Sequence, residues 1–344
     1  MIQGRGFFIW QIPNCEKGNP DAIAAAAQAA GLSWVAVKIA DGGSISNRPY
    51  INGRFTDLVG PLVASLREPK NPDGSPYPIQ VWGWQFVYGF DPLGEAATAT
   101  DQLRKFELDG YIIDAEADYK LPGRGAIATG FMNQMRRAFP DLPMALCSYR
   151  FPKLHPEFPW DEFLAQVDLN MPQVYWEQAH NPTAQLAQSL EEFGELPNKH
   201  PMIPVGPTYK VDGWAPTPAD LQAFQAEAAR CGMPGTGYFS WDECRRDLPA
   251  LWDEIAGHPS QPEPAPVPAP EPAPKPEPEP KPAAQQYLVT IGPRWVYTNA
   301  ELTGRATGRV NRGARVTIME TQGHSGRLDK GGWIDISSGV KVIP

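Results

Sequence analysis

Between residues 6 and 255, short apolar runs alternate with amphipathic helical stretches through eight cycles. The strand candidates are Gly6–Ile12, Trp34–Ile39, Ile79–Phe86, Gly110–Asp114, Met144–Ser148, Leu169–Tyr175, Met202–Val205 and Gly237–Ser240. Helical candidates follow near Pro20–Ala30, Phe55–Leu66, Gly94–Leu108, Ala126–Phe139, Trp160–Val167, Pro182–Phe193, Pro218–Cys231 and Leu248–Ile255. Three of these helices open on a capping residue followed by proline, at Asn19-Pro20, Asn181-Pro182 and Thr217-Pro218. Strict βα alternation predicts a parallel sheet covered by helices, because each crossover returns the chain over one face. Eight repeats in about 250 residues match a closed (β/α)₈ TIM barrel, an α/β fold. A doubly wound open sheet is the alternative, and the first strand lacks the GxGxxG turn of its dinucleotide-binding version.

From Pro262 to Pro282 every second residue is proline. Such a segment can complete neither helix nor sheet ladders and is expected to be a stiff polyproline II spacer. At ~3.1 Å per residue it would hold its neighbours on the order of 70 Å apart. The expected organisation is a barrel over 1–257, a linker over 258–285 and a small all-β domain over 286–344. In the last segment the strand candidates are Leu288–Ile291, Trp295–Tyr297, Ala314–Thr321, Gly332–Ile336 and Val340–Ile343, with turns at Asn311-Arg312-Gly313 and Lys330-Gly331-Gly332.

Charge divides the chain in the same place. The formal net charge is −9, yet residues 286–344 hold eight Lys/Arg against four Asp/Glu, a net of +4 that leaves −13 for the remainder. An acidic body argues against nucleic-acid binding, and a basic tail suits an anionic partner. The four cysteines, at 15, 147, 231 and 244, fit no CxxC pattern, and five scattered histidines form no metal set. No metal or cofactor is expected. No apolar run reaches the ~18 residues of a membrane span, so no membrane insertion is expected. The N-terminus lacks the pattern of a signal peptide, which suggests a cytoplasmic protein until some other agent releases it.

In this fold, chemistry belongs to the C-terminal ends of the strands. The fourth strand candidate runs Asp109-Gly110-Tyr111-Ile112-Ile113-Asp114-Ala115-Glu116. Period-two alternation puts Ile112, Asp114 and Glu116 on one side, so the two carboxylates are neighbours at the barrel mouth. Two close anions in a low-dielectric cleft cannot both ionise easily, and one should keep a proton near neutrality. A protonated acid beside a carboxylate is what cleavage of a glycosidic bond requires. The plainer alternative is a surface pair capping the next helix, since Asp118 continues the acidic run. Trp84, Trp176 and Trp241 fall near other strand ends and can stack on sugar rings, while Lys38, Gln85, Gln173 and Glu177 can bond hydroxyls. Glu177 and Asp242 are reserve acids. For any single tryptophan, core packing is the competing explanation.

The run D-G-x-x-x-D-x-E at 109–116 resembles the fourth-strand signature of family 18 chitinases, with Ile112 standing where those enzymes usually carry another aspartate. Met171-Pro172-Gln173-Val174-Tyr175-Trp176 is similar to their sixth-strand motif, and Gly237-Tyr238-Phe239-Ser240-Trp241-Asp242 to their closing strand. The resemblance implies that Glu116 is the acid/base and Asp114 orients an N-acetyl group. It also implies that Tyr175 donates a hydrogen bond to that group and Trp241 floors the sugar pocket. Family 25 lysozymes share the D-x-E but carry a first-strand aspartate that Phe7–Ile12 lacks. A group of bacterial and phage barrel proteins shares the segments WGWQFVYG, GYIIDAEADYK and MPQVYW.

The C-terminal segment resembles bacterial SH3 domains through Arg312-Gly313-Ala314-Arg315-Val316-Thr317-Ile318 and Gly331-Gly332-Trp333-Ile334-Asp335-Ile336. That likeness implies a small SH3-like barrel binding a cell-wall peptide or anionic polymer. Together the features lead to a glycoside hydrolase on an N-acetylated polysaccharide, foremost peptidoglycan, in a lysozyme- or endolysin-like setting at the wall. The alternative is a non-catalytic carbohydrate-binding barrel or an adhesion component of a phage or cell surface.

Overall fold

Eight parallel strands close on themselves in the computed structural model: β1 (Gly4–Ile9), β2 (Trp34–Asp41), β3 (Gln80–Val87), β4 (Gly110–Ala115), β5 (Met144–Tyr149), β6 (Leu169–Gln173), β7 (Val205–Pro207) and β8 (Gly235–Phe239). Each pairs with its successor, and β8 pairs with β1, with Gly6 opposite Gly237. The fold is therefore a TIM barrel, and an open sheet is excluded. The structure describes residues 1–68, 77, 79–257, 285–289, 294–302, 306–311, 313–337 and 340–343. The proline-rich segment lies outside these residues except for Gln285. Among the described residues no helix is long and apolar enough to cross a membrane.

The covering helices are α1 (Pro20–Ala29), α2 (Val59–Arg67), α3 (Pro92–Phe106), α4 (Arg124–Ala138), α5 (Trp160–Leu164), α6 (Pro182–Glu195), α7 (Pro218–Arg230), α8 (Trp241–Asp247) and α9 (Pro249–Ile255). Two of the three expected caps form. Asn19 accepts from the amides of Asp21 and Ala22, and Thr217 makes a reciprocal capping box with Asp220. Asn181 makes no side-chain cap. The helix expected from Phe55 starts four residues later, because Arg54–Phe55 pairs with Tyr50–Ile51 as a hairpin. Asn52 and Gly53 both adopt positive φ there, 50° and 79°, as a two-residue Asn-Gly turn demands.

Alternation along the strands sorts the side chains into two layers. One phase faces the barrel axis and forms a cluster with Phe8, Trp34, Trp82, Trp84, Ile112 and Met171. The other phase, including Phe7, Val35, Val81, Tyr111 and Leu146, packs outward against the helices. The lower interior is filled by indoles that need bare backbone beside them. A Cβ on Gly6 would lie 2.1 Å from the Trp34 ring, and one on Gly110 would lie 2.5 Å from the Trp82 ring. These glycines let two tryptophans share a barrel cross-section, and the filled interior leaves only the rim open.

The chain divides into two compact units, Met1–Glu263 and Pro264–Pro344. The second contains β9 (Gln285–Val289), β10 (Arg294–Tyr297), β11 (Ala306–Val310), β12 (Arg315–Gln322), β13 (Ser325–Leu328), β14 (Trp333–Asp335) and β15 (Val340–Ile343). They form an antiparallel sheet in the order β11-β10-β14-β13-β12-β9-β15. Strands β11 and β13 were not expected from the sequence. Residues 290 and 291 of the expected first strand, and Arg312 of the expected turn, lie outside the described residues. Gly331 and Gly332 take φ of 88° and 83°, which the turn into β14 requires. Ile318, Leu328 and Ile334 form the small core. Trp333 is half-buried opposite Tyr297, and Trp295 is 53% exposed.

Substituting Gly110→Ala pushes a methyl into the Trp82 ring and should destabilise the barrel by about 1–3 kcal/mol. A urea transition of the barrel at the wild-type midpoint would contradict this layered packing.

Candidate active site

The inward row of β4 passes from Ile112, fully buried, to Asp114, 8% exposed, and on to half-exposed Glu116 just past the strand end. Gln173, the last residue of β6, reaches across the mouth. Its Nε2 donates to Asp114 Oδ1 at 3.0 Å and to Glu116 Oε1 at 2.9 Å, and stands 3.8 Å from Cys147 Sγ. An amide oxygen at that position would face the half-exposed Glu116 carboxylate, so electrostatics favour the NH₂ group there. One amide thereby holds both acids at the rim. Burial pushes the Asp114 carboxyl well above its ordinary range, and the neighbouring charge of Glu116 adds to this. Lys38 and the Gln173 hydrogen bond work in the opposite direction. Burial therefore biases Asp114 toward its protonated form.

Lys38 projects from β2 toward the same interior and is itself buried. Its ammonium pairs with Asp41 at 2.6 Å and lies 4.7 Å from the Trp84 ring centroid. Burial favours the neutral acid at Asp41, but hydrogen bonds from Lys38 and Tyr88 outweigh it and hold this carboxyl below its usual value. The Tyr88 hydroxyl donates to Asp41 at 2.7 Å, and its own ionisation is pushed up to about 12, first by that hydrogen bond. Trp10, 41% exposed at the end of β1, lies with its ring centroid 5.8 Å from the Lys38 ammonium. Tyr88 packs 4.8 Å from Phe86 and stacks at 6.5 Å on Phe90, which is 67% exposed.

On the opposite rim, Tyr175 meets Tyr209 edge-on at 5.5 Å and Phe239 at 6.4 Å. Burial, followed by the nearby Cys147, pushes the Tyr175 phenol well up, so it stays a hydrogen-bond donor. Exposed Glu177 accepts a hydrogen bond from Tyr209. Glu243 accepts from the Ser240 hydroxyl at 3.1 Å, and burial raises its carboxyl as well.

The structure brings Asp114, Glu116, Gln173, Tyr175 and Lys38 together and places Glu177 at the margin. Other expected contacts are corrected. Gln85 is fully buried on the outer face of β3, donating to the carbonyls of Gly42 and Glu95 and accepting from Tyr111. Trp176 packs at 5.2 Å on Phe224 of α7, and Trp241 at 4.7 Å on Trp252 of α9. Both are fully buried, so neither stands where a sugar could stack on it. Trp84 does face the interior but is covered, donating to the Ile9 carbonyl at 3.0 Å. Asp242 is buried in α8, where burial raises its carboxyl, and its Oδ1 has no partner. The exposed or half-exposed rim aromatics include instead Trp10, Phe86, Tyr88, Phe90, Tyr149 and Tyr209, beside Tyr175 and Phe239. Carrying the period-two rule one residue beyond the expected end of β5 would have found Tyr149.

The chain matches no family model, and none of the curated proteins matches it in sequence. Its fold is similar to solved family 18 chitinase-like TIM barrels. One is the family 18 chitinase of Cycas revoluta in complex with allosamidin, at 12% identity and a TM-score of 0.51, covering 73% of this chain and 98% of that one. Another is the class V chitinase of Nicotiana tobaccum, at 8% identity and 0.55, covering 75% and 99%. A third is the spore cortex-lytic enzyme SleL of Bacillus megaterium, at 11% and 0.51, covering 75% of each.

The raised Asp114 carboxyl has a consequence for stability. A group whose value rises on folding contributes fully below its unfolded value, ~3.9, and loses that contribution as pH climbs through the folded value. Asp114→Asn has no charge to bury. Its thermal midpoint relative to wild type should therefore climb steadily between pH 4 and pH 8, and a gap independent of pH would show that Asp114 is not the protonated member.

Proposed function

We propose that the barrel is a glycoside hydrolase acting on an N-acetylated polysaccharide, foremost peptidoglycan. The observation that carries this reading is the rim pair of acids on one amide, with Asp114 buried and Glu116 reaching the open mouth. The likeness to chitinase-like barrels supports the reading at the level of the fold.

In the proposed reaction Asp114 first passes its proton to Glu116 and becomes the carboxylate, and Glu116 delivers that proton to the glycosidic oxygen as the bond from C1 to that oxygen breaks. The carbonyl oxygen of the substrate's own N-acetyl group forms the new bond to C1 from the opposite face, while Asp114 accepts the acetamido N–H and orients it. Tyr175 donates to the acetamido oxygen. Water, giving its proton back to Glu116, then opens the cyclic intermediate with retention of configuration. Trp10, Tyr88 and Phe90 offer exposed ring faces for neighbouring sugars. The linker and the basic second unit, read as an SH3-type wall binder with Trp295 exposed, would keep the barrel concentrated at an immobile substrate. The setting is a protein released to the wall, as phage lysins are.

A second reading, saccharide binding without cleavage, is favoured by Ile112 and by the burial of Trp241, which leaves the mouth without that aromatic floor. Release of new reducing ends from purified wall separates the two. Glu116→Gln should lower it by at least about a hundredfold with the thermal midpoint retained. Undiminished activity would remove Glu116 from the mechanism, and binding with no release by wild type would favour the second reading.

A further inference from the structure

Beside the acids, on the β5 and β6 side, lies a cavity of about 110 Å³ whose wall includes Gln173 and Tyr175. It therefore shares with the site the residue that bridges Asp114 and Glu116. Its remaining wall includes Tyr149, Arg150 and His155. Tyr149 and His155 stack with centroids 3.7 Å apart. The Lys120 ammonium lies 5.2 Å from the Tyr149 ring centroid and 3.4 Å from His155 Nδ1. Burial, and then Lys120, holds His155 below its ordinary value, so the ring is neutral near pH 7 and serves as an acceptor for the ammonium.

Arg150 is half-buried, with Nε on Gln185 Oε1 at 2.8 Å and its guanidinium 4.9 Å from the Phe151 ring. Among the described residues neither Lys120 nor Arg150 forms an ion pair. The nearby acids act on the corner only through longer-range charge: Glu177 on Arg150, Glu157 on His155, and Glu116 and Asp118 on Tyr149. Glu192 accepts from the Lys153 amide and from Gln188, and Glu177 accepts from Tyr209. Two cations without an ion-pair partner within 4 Å, Arg150 in the wall and Lys120 against the wall residues Tyr149 and His155, therefore border a small cavity at the mouth of a strongly acidic body. A neutral saccharide seated there would offer these cations hydroxyl oxygens but no charge, whereas a carboxylate would offer both.

We propose that this corner receives a carboxylate carried by the substrate, so that the preferred polymer is an N-acetylated glycan bearing carboxylates and not a neutral one. The cavity holds roughly four waters' volume, enough for a small acidic side group. The proposal rests on the glycosidase reading for its polymer, but its test does not depend on turnover.

Three tetrasaccharide probes of equal length separate the cases. One carries free ether-linked carboxylates on alternate sugars and no peptide, the second has those carboxylates amidated, and the third carries its carboxylates only on attached peptides. Calorimetric titration of the full chain as Glu116→Gln should show the first or the third binding about tenfold tighter than the second. The probe that does so identifies the carboxylate as sugar-borne or peptide-borne. With wild type, the kcat/KM values should follow the same order.

The preference should collapse toward unity in Lys120→Gln/Arg150→Gln, or halve at least in Lys120→Gln alone if the double variant does not fold. Equal binding of all three probes, or a preference that survives the substitutions, overturns the proposal. Cleavage of every probe at equal rate would do the same while leaving the glycosidase reading intact. A carboxylate preference in binding with no cleavage would remove the glycosidase and keep the corner.

Discussion

The carboxyl of Asp114 sits where the dry interior of the barrel ends. Beneath it on the same strand face is Ile112, packed in a cluster with Trp84, Cys147 and Met171. Above it is Glu116, reaching toward solvent. A carboxylate at that height loses hydration from below, and the charge above discourages a second anion. The Gln173 amide completes the arrangement by giving one N–H to each acid. Closure of the sheet makes this possible, because β4 and β6 are not neighbours in the hydrogen-bonded order. They face one another only across the interior of the cylinder.

How much of this the sequence discloses depends on the range of the interaction concerned. Eight alternations of strand and helix, and the caps at Asn19 and Thr217, are properties of neighbouring residues and are legible without coordinates. The common face of Ile112, Asp114 and Glu116 is legible for the same reason, since the pleat imposes it wherever a strand exists. That Gln173 rather than Gln85 reaches the acids is also a matter of pleat phase. Gln173 is in step with the inward Met171, while Gln85 is one residue out of step with the inward Trp84. A shift of a single position turns a side chain from the mouth to the helical layer.

The tryptophans show where sequence reasoning stops. Trp176 and Trp241 stand just past strand ends, as sugar-stacking residues would, yet both turn into the layer between barrel and helices. Their destinations, Phe224 on α7 and Trp252 on α9, come from segments 48 and 11 residues further along the chain. No local pattern specifies those contacts. The exposed rim aromatics lie in loops after the strands, where periodicity has ended. Trp10 and Phe90 carry no signal beyond their type and position. The hairpin at 50–55 did carry one, in the Asn52-Gly53 dipeptide, which outweighs the apolar pattern that suggested an earlier start for α2.

Ile112 also bears on how the proposed chemistry is driven. With an aspartate at that position, a proton on Asp114 would have a second acid beneath it and could move down the strand face. Isoleucine offers no acceptor, so the proton's polar surroundings are all on the mouth side. Lys38 does not replace the missing acid, because it favours the charged form of Asp114 and is already committed to Asp41 at 2.6 Å. What biases Asp114 toward its protonated form is therefore burial, reinforced by Glu116. That division ties the acid's behaviour to the packing of the barrel interior more than to a relay of titrating groups.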